Sequence, residues 1–307
     1  MRFEVRLLGT NAAVPTPGRF STSQVLHLES SAYLIDCGEG AQVRMQQFQV
    51  NPSRIGQVFI SHLHGDHIYG LAGFLTSQML MGRQKGIELF GPSGLEDFVT
   101  AQLKYSFTKL PFPIAFHVVD TDNPALVFED RHIMVYSLPL LHRIPATGYL
   151  FRESPRDRNI RPEMILAYGL SVEQIVAAKK GADIHLPDGR LLLNAEITID
   201  PPPSRSYAFC TDTAFHPDLV PLVRGVDLLY HESTFCSDLQ DHARLTGHST
   251  ARDAAEIALA AGVKRLILGH FSSRYSDMGV FESEARAIFP DAFASKDGDV
   301  FEVPFRS

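Results

Sequence analysis

Short apolar runs in this chain repeatedly lead directly into polar residues. Runs of this length, bounded by turn residues, are typical of buried strands. Four such runs are 57–60 before Ser61, 133–141 before His142, 207–210 before Thr211, and 265–268 before Gly269. Because loops at strand ends gather functional groups over a rigid scaffold, we expect these polar residues to carry the function.

Predicted helices alternate with these strands. The clearest covers about residues 250–261, where apolar side chains form one stripe, Ser249 or Thr250 is the expected cap, and Gly262 follows the end. A second helix is predicted after Ser93. Alternating strands and helices indicate an α/β fold.

The composition is that of a globular chain with a sizeable core, since 45% of the 307 residues are hydrophobic. Lys and Arg number 28 against 35 Asp and Glu, a net charge of −7, which argues against indiscriminate nucleic-acid binding but not against a local basic patch. The longest uncharged stretch, 68–82, is shorter than the roughly 20 apolar residues of a membrane helix. Three unclustered cysteines predict a cytoplasmic protein.

Three imidazoles and one carboxylate fall within residues 62–67. Nitrogen and oxygen donors of this kind suit Zn²⁺. His62 and His64 alternate and can face one ion, whereas Asp66 and His67 follow the bend and can face a second. Core histidines satisfied by backbone carbonyls are the alternative interpretation.

Two ions need more ligands than this motif holds, because each zinc takes about four and leaves a position open for water. Three further strand-end residues, His142, Asp212 and His270, complete the count. Taken singly, each has a plainer interpretation as a hydrogen-bonded surface histidine or a turn-closing aspartate. Together they predict a two-metal centre.

Further motifs extend this set over nearly the whole chain: 8–10, 15–16 with Arg19, 36–40 with Gln42, 70–73, 90–95, 142–143, 211–213, 231–234, 247–250 and 269–275. In these motifs the chain resembles the metallo-β-lactamase superfamily and, within it, the short-form RNase Z family of transfer RNA 3′-processing endonucleases. Residues 62–67 alone identify only the superfamily. The stretches 231–234, 247–250 and 272–275 point to RNase Z.

The resemblance implies a four-layer αββα sandwich with the metal site at one edge between the sheets. It implies one domain over 1–307, with a projecting arm inserted at about 152–200. It also implies two zinc sites: His62, His64, His142 and Asp212 at one, and Asp66, His67, His270 and the shared Asp212 at the other. A carboxylate suits the shared position because it has two oxygens. Mn²⁺ or Fe²⁺ can also occupy such donors.

The same resemblance implies a zinc-dependent endoribonuclease that removes the 3′ trailer from precursor transfer RNA, commonly as a homodimer. Asp66 would also accept the proton of the attacking water, and His248 would give a proton to the leaving oxygen. Glu232 would orient His248 or keep it protonated. The alternative for His248 is a structural neighbour of the helix cap at Thr250.

The expected arm departs from the family pattern, because residues 168–173 lack the Gly-Pro pair usual at its tip. A basic tract at 152–161 is either a solvated linker or a grip on RNA. A second hypothesis is therefore a zinc phosphodiesterase or other ester hydrolase of the same fold that acts on small substrates. A third, a non-catalytic RNA-binding subunit, is disfavoured because every ligand position is filled.

Overall fold

The computed structural model describes residues 2–14 and 16–305. They divide into two compact units, one of residues up to 152 together with 206–304, the other of residues 153–205 with Phe305. Pro15, part of one quoted motif, lies outside the described residues.

The strands follow one another along the described chain as β1 (Phe3–Gly9), β2 (Ser23–Leu28), β3 (Ser31–Cys37), β4 (Ile55–Phe59), β5 (Ile87–Gly91), β6 (Ile114–Val118), β7 (Leu126–Glu129), β8 (Ile133–Pro139), β9 (Thr147–Glu153), β10 (Asn159–Ile160), β11 (Ile184–His185), β12 (Leu191–Leu192), β13 (Thr198–Ile199), β14 (Ser206–Cys210), β15 (Leu228–Glu232), β16 (Leu266–Gly269), β17 (Ala292–Ala294) and β18 (Val300–Glu302).

The α-helices are α1 (Ala41–Gln47), α2 (Gly65–Ile68), α3 (Leu71–Leu80), α4 (Leu95–Tyr105), α5 (Pro162–Tyr168), α6 (Val172–Lys179), α7 (Asn194–Ile197), α8 (Leu219–Leu222), α9 (Gln240–Thr246), α10 (Ala251–Ala261) and α11 (Gly279–Arg286). Two short 3₁₀ turns cover Pro52–Arg54 and Ser237–Leu239.

The larger unit contains two seven-stranded sheets. The first has the order β18-β1-β2-β3-β4-β5-β6, and the second has the order β17-β16-β15-β14-β9-β8-β7. Pairing from β3 to β6 and from β14 to β17 is parallel, which places the carboxyl ends of these strands at common edges.

Three apolar clusters separate four layers in this unit. Aromatic side chains from both sheets, among them Tyr33, Phe59, Phe151 and Tyr207, fill the space between the sheets. A second cluster joins the outer face of the first sheet to α1, α3 and α4, and a third joins the outer face of the second sheet to α8, α10 and α11. Because each sheet buries both faces, the larger unit is a four-layer αββα sandwich, as expected.

Local sequence signals agree with the elements they predicted. Thr250 caps α10 in a capping box with Asp253, and Gly262 ends the helix in the left-handed conformation. The helix expected after Ser93 is α4, although its cap residue is Gly94. The four apolar runs that precede polar residues are the strands β4, β8, β14 and β16.

The second unit has a small core of its own around Leu170, Ala178 and Ile197, with helices α5 to α7 and two short antiparallel sheets, β10-β13 and β11-β12. Its first and last residues are tied together, because the buried guanidinium of Arg205 donates to both oxygens of Glu153 at 2.7 and 3.0 Å. The arm function of this segment stays a prediction.

Candidate metal centre

Histidine and carboxylate side chains surround a cavity of about 630 Å³ in the larger unit. His64, Asp66, His142, Asp212 and His270 line this cleft, together with His248. His62 and His67 are fully buried behind them. The structure therefore brings all seven predicted ligands to this cleft, together with His248, the predicted proton donor.

Strand ends position these side chains. Residues 60–64 continue from β4, and the single-turn helix α2 carries Asp66 and His67. His142 lies beyond β8, Asp212 follows β14, and His270 follows β16. Asp212 and His270 have positive φ values of 35° and 60°. Non-glycine residues rarely adopt this conformation, and its presence here indicates that the surrounding contacts impose it.

The first donor group contains His62, His64, His142 and Asp212, whose potential ligand atoms lie within 4.8 Å of one another. Nδ1 of His64 lies 3.0 Å from Nε2 of His62 and 3.3 Å from Nε2 of His142. Oδ2 of Asp212 lies 3.4 Å from Nε2 of His62. These atoms converge on one point.

The second donor group contains Asp66, His67 and His270. The Nε2 atoms of the two histidines are 3.3 Å apart, and each lies 3.4 Å from Oδ2 of Asp66. Oδ1 of Asp212 lies 3.2 Å from Nε2 of His67 and 3.0 Å from Nε2 of His270. Asp212 thus presents one oxygen to each group.

Both groups fit a divalent metal. Zinc binds nitrogen or oxygen at about 2.0–2.2 Å in tetrahedral geometry, so neighbouring ligand atoms should lie about 3.3 Å apart. Most of the donor separations given above are close to this value. Imidazole and carboxylate are the donor types that zinc accepts.

Hydrogen bonds to Nδ1 leave Nε2 free on the buried histidines. Nδ1 of His67 lies 2.7 Å from Asp36, and Nδ1 of His142 lies 2.9 Å from the carbonyl oxygen of Gly247. Thr234 donates its hydroxyl proton to a carboxylate, so it accepts from Nδ1 of His270 at 2.9 Å. Partners of this kind fix the tautomer and ring orientation that a metal requires.

Nδ1 of His62 also has a hydrogen-bond partner. Ser61 donates its hydroxyl to Asp36 at 2.8 Å, so its oxygen accepts from Nδ1 of His62 at 3.0 Å. Asp36 also accepts the amide N–H of Ser61 at 2.7 Å and is fully buried. One carboxylate therefore orients ligands of both donor groups.

The electrostatics of the cluster favour a cation. Burial lowers the pKa of His62 and of His142, which keeps these rings in the neutral form that binds metals. Burial alone would lower the pKa of His67, but three surrounding carboxylates raise it well above its ordinary value. Burial alone would raise the pKa of Asp212, but the neighbouring imidazoles hold it well below its usual range.

His248 lies at the cleft with Nδ1 2.8 Å from Oε1 of Glu232. Burial alone would lower the pKa of His248, but the charge and hydrogen bond of Glu232 raise it to about 9. Glu232 is fully buried and also accepts the N–H groups of Thr213 and Thr234, at 2.9 and 3.1 Å. The protonated imidazole therefore has a fixed carboxylate partner.

The sequence did not predict the roles of two of these residues, Asp36 and Thr234. Both lie in motifs named above for the family resemblance, 36–40 and 231–234. A signal for Asp36 exists only in the structure, where its φ is +52° and its side chain contacts residues 25 and 31 positions away. Arg274 is exposed and lines the cleft.

Two protein-family models match parts of this chain. The model described as beta-lactamase superfamily domain matches residues 166–271, and the model described as anti-Pycsar protein Apyc1 matches residues 3–111. The metallo-β-lactamase fold protein YhfI from Bacillus subtilis is 17% identical, with a TM-score of 0.69 over 98% of both chains. The αββα layers and the His/Asp cluster define a hydrolase of the metallo-β-lactamase superfamily.

Proteins of similar sequence identify the family within this superfamily. Ribonuclease Z from Parabacteroides distasonis is 43% identical over 96% of this chain and 97% of its own length. Ribonuclease Z from Cytophaga hutchinsonii is 40% identical over 100% of this chain and 98% of its own. The crystal structure of human tRNase Z, short form, is 29% identical, with a TM-score of 0.71 over 98% and 99% of the two chains. The chain belongs to the ribonuclease Z family and is a metal-dependent endoribonuclease.

Proposed function

We propose that this chain removes the 3′ trailer from precursor transfer RNA, with two zinc ions held by the seven residues of the metal centre. The observation that carries the proposal is the pair of donor groups that share Asp212, whose two oxygens face different groups at 3.0–3.4 Å. Two divalent ions, when bound, would lower the pKa of a water molecule toward neutrality and stabilise negative charge on a phosphate.

The chain's own residues would then accept and donate the protons of the reaction. Asp66 lies at the cleft beside His67 and His270, with its carboxylate held ionised, and can accept a proton from the attacking water. His248 keeps its Nδ1 on Glu232, so its Nε2 is the atom available to the substrate. From there it can give a proton to the leaving 3′-oxygen.

The second unit is proposed to hold the RNA. Within the basic tract, Arg156 is hydrogen-bonded to Glu153 and Arg158 is paired with Asp200. RNA contacts by this unit would therefore fall to Arg161, Lys179 and Lys180, which have no ion-pair partner among the described residues. Binding should weaken with rising salt, since phosphate contacts release counterions.

We further propose a homodimer in the cytoplasm. The family resemblance supports the dimer, and light scattering that gives twice 34.1 kDa would agree with it. A mass of one chain at micromolar concentration would contradict it. All three cysteines are buried without a disulfide, as is common in a reducing compartment. Within the described residues, no helix has the length and apolar character needed to cross a membrane.

The experiment that tests the function supplies the purified protein with precursor transfer RNA and, in parallel, a chromogenic phosphodiester. We expect cleavage of the RNA at the 3′ side of the acceptor stem. Hydrolysis of the small ester with uncut RNA, under varied metal and salt, would instead support the small-substrate phosphodiesterase. His248→Ala should retain its zinc while losing most turnover, whereas loss of zinc would make His248 a ligand or a structural residue.

A further inference from the structure

Part of the cleft wall combines an exposed aromatic ring with an exposed carboxylate. Tyr69 and Glu39 both line the cleft that holds Asp66, and the Tyr69 side chain is 63% exposed. Glu39 is exposed as well, and among the described residues its side chain has no hydrogen-bond or ion-pair partner. Neither side chain has a role in the metal centre or in the proton transfers proposed above.

Two glycines bring together the backbone segments that carry these side chains. The N–H of Gly70 donates to the carbonyl oxygen of Cys37 at 2.9 Å. A Cβ at Gly70 would lie 2.1 Å from the carbonyl oxygen of Gly38, and a Cβ at Gly38 would lie 2.3 Å from the carbonyl oxygen of Asp66. The backbones around 38 and 70 are therefore in direct contact, and the residues next to these glycines, Glu39 and Tyr69, both line the cleft.

The Tyr69 ring has a fixed place relative to the metal centre. It follows α2 directly and packs over Gly65, where a Cβ would lie 2.1 Å from the ring. The ring of Phe98 is nearly parallel to it, at an interplanar angle of 10° and a centroid distance of 6.2 Å. Because α2 also carries Asp66 and His67, the ring is tied to two residues of the site.

An exposed, fixed aromatic ring beside a phosphate-cleaving site is suited to a nucleobase. Base–aromatic stacking is favourable for every base, because every base has a π-face. A carboxylate repels phosphate but accepts hydrogen bonds from the N–H groups of a base edge. The pair therefore suits the base of a nucleotide rather than its phosphate.

We propose that Tyr69 and Glu39 form a nucleobase subsite, in which the base of a nucleotide flanking the scissile phosphodiester stacks on Tyr69 and donates hydrogen bonds to Glu39. The subsite rests on the proposed RNA cleavage and adds a base preference to it. An ionised carboxylate only accepts, so it favours an edge with two adjacent donors. Guanine, with N1–H and the 2-amino group, is the base of this kind.

A double-mutant cycle tests the stacking. Cleavage is measured on precursor RNA with a normal base and with an abasic residue at each nucleotide flanking the cut, for the wild type and for Tyr69→Leu. We expect the abasic residue at one of the two positions to raise KM about 5- to 100-fold in the wild type. In Tyr69→Leu the same abasic residue should change KM less than about 2-fold, because the ring is already gone.

Matched variants serve as controls for other causes of a change in KM. Tyr69→Phe keeps the ring and should keep the full abasic effect. Tyr105→Leu removes another exposed tyrosine, 77% exposed at the end of α4, and should behave as the wild type does. Equal abasic effects in the wild type and in Tyr69→Leu, at both flanking positions, would overturn the subsite.

The carboxylate is tested by base identity. Replacing guanine by inosine, which lacks the 2-amino group, should weaken cleavage several-fold in the wild type and hardly at all in Glu39→Gln. An equal response of both proteins to inosine would remove Glu39 from the proposal. If the wild type cuts no RNA, the proposed function fails. If it cuts RNA and the cycle is additive, the subsite alone fails.

Discussion

Glu232→Gln tests whether Glu232 acts on the reaction through His248. The carboxylate accepts four hydrogen bonds, at 2.9 Å from the N–H of Thr213, 2.8 Å from His248, and 3.1 and 2.7 Å from the N–H and hydroxyl of Thr234. Glutamine has almost the same shape but only one accepting oxygen, and its NH₂ group must face donors on one side. In either orientation His248 loses its ionic partner.

The size of the effect follows from that lost partner. A hydrogen bond to a charged group contributes about 1.5–3 kcal/mol. If this amount is lost where the protonated ring meets the leaving oxygen, the rate falls about 10- to 150-fold, since about 1.4 kcal/mol corresponds to tenfold. The pKa of His248, now about 9, should also fall toward its ordinary value, so that less of the ring is protonated at neutral pH.

The assay compares kcat on precursor transfer RNA for the wild type, Glu232→Gln, His248→Ala and the double variant, with zinc content measured for each. Because the carboxylate would act through the ring, Glu232→Gln should slow the wild type but change His248→Ala less than about threefold. An equal slowing in both backgrounds would show that Glu232 does not act through His248. Loss of zinc from Glu232→Gln would instead assign it a role in holding His270 through Thr234.

Further predictions concern the metal and the second unit. A chelator should abolish RNA cleavage and added Zn²⁺ should restore it, whereas full activity after metal removal would contradict the metal-dependent mechanism. Asp36→Asn should weaken zinc affinity about 10- to 100-fold in a competition titration, because it disturbs the orientation of His62 and His67. Unchanged affinity would show that Asp36 does not orient these ligands. Burial alone would raise the pKa of Glu153, but Arg205 holds it below its ordinary value. The stability that the ionised Glu153 contributes is therefore present above about pH 4.3 and is lost as pH falls through the folded pKa. Glu153→Gln should therefore flatten the dependence of the unfolding free energy on pH in this range. An unchanged slope would contradict this prediction.

The parts of the fold that the sequence predicted depend on local signals. An apolar run and its polar end are adjacent in the chain, so β14 and Asp212 could be predicted together. The cap and the terminal glycine of α10 are likewise local. The class of fold and the seven clustered side chains followed from such signals and from family resemblance.

The parts that were missed join distant segments. Asp36 contacts His67 from 31 positions away, and Thr234 contacts His270 from 36 positions away. A buried aspartate at a strand end gives no local sign of the partner it will meet. The close packing of the Gly38 and Gly70 backbones, next to Glu39 and Tyr69, is equally invisible to periodicity.

We propose that the shared carboxylate of Asp212 lets this cluster hold two metal ions, both needed for RNA cleavage. The most direct test of this proposal is the metal content of the purified chain by plasma mass spectrometry, measured with precursor RNA cleavage on the same sample, for the wild type and Asp212→Ala. We expect two ions per wild-type chain, and fewer ions with no cleavage in Asp212→Ala. One ion per fully active wild-type chain, or unchanged metal content and cleavage without Asp212, would contradict it.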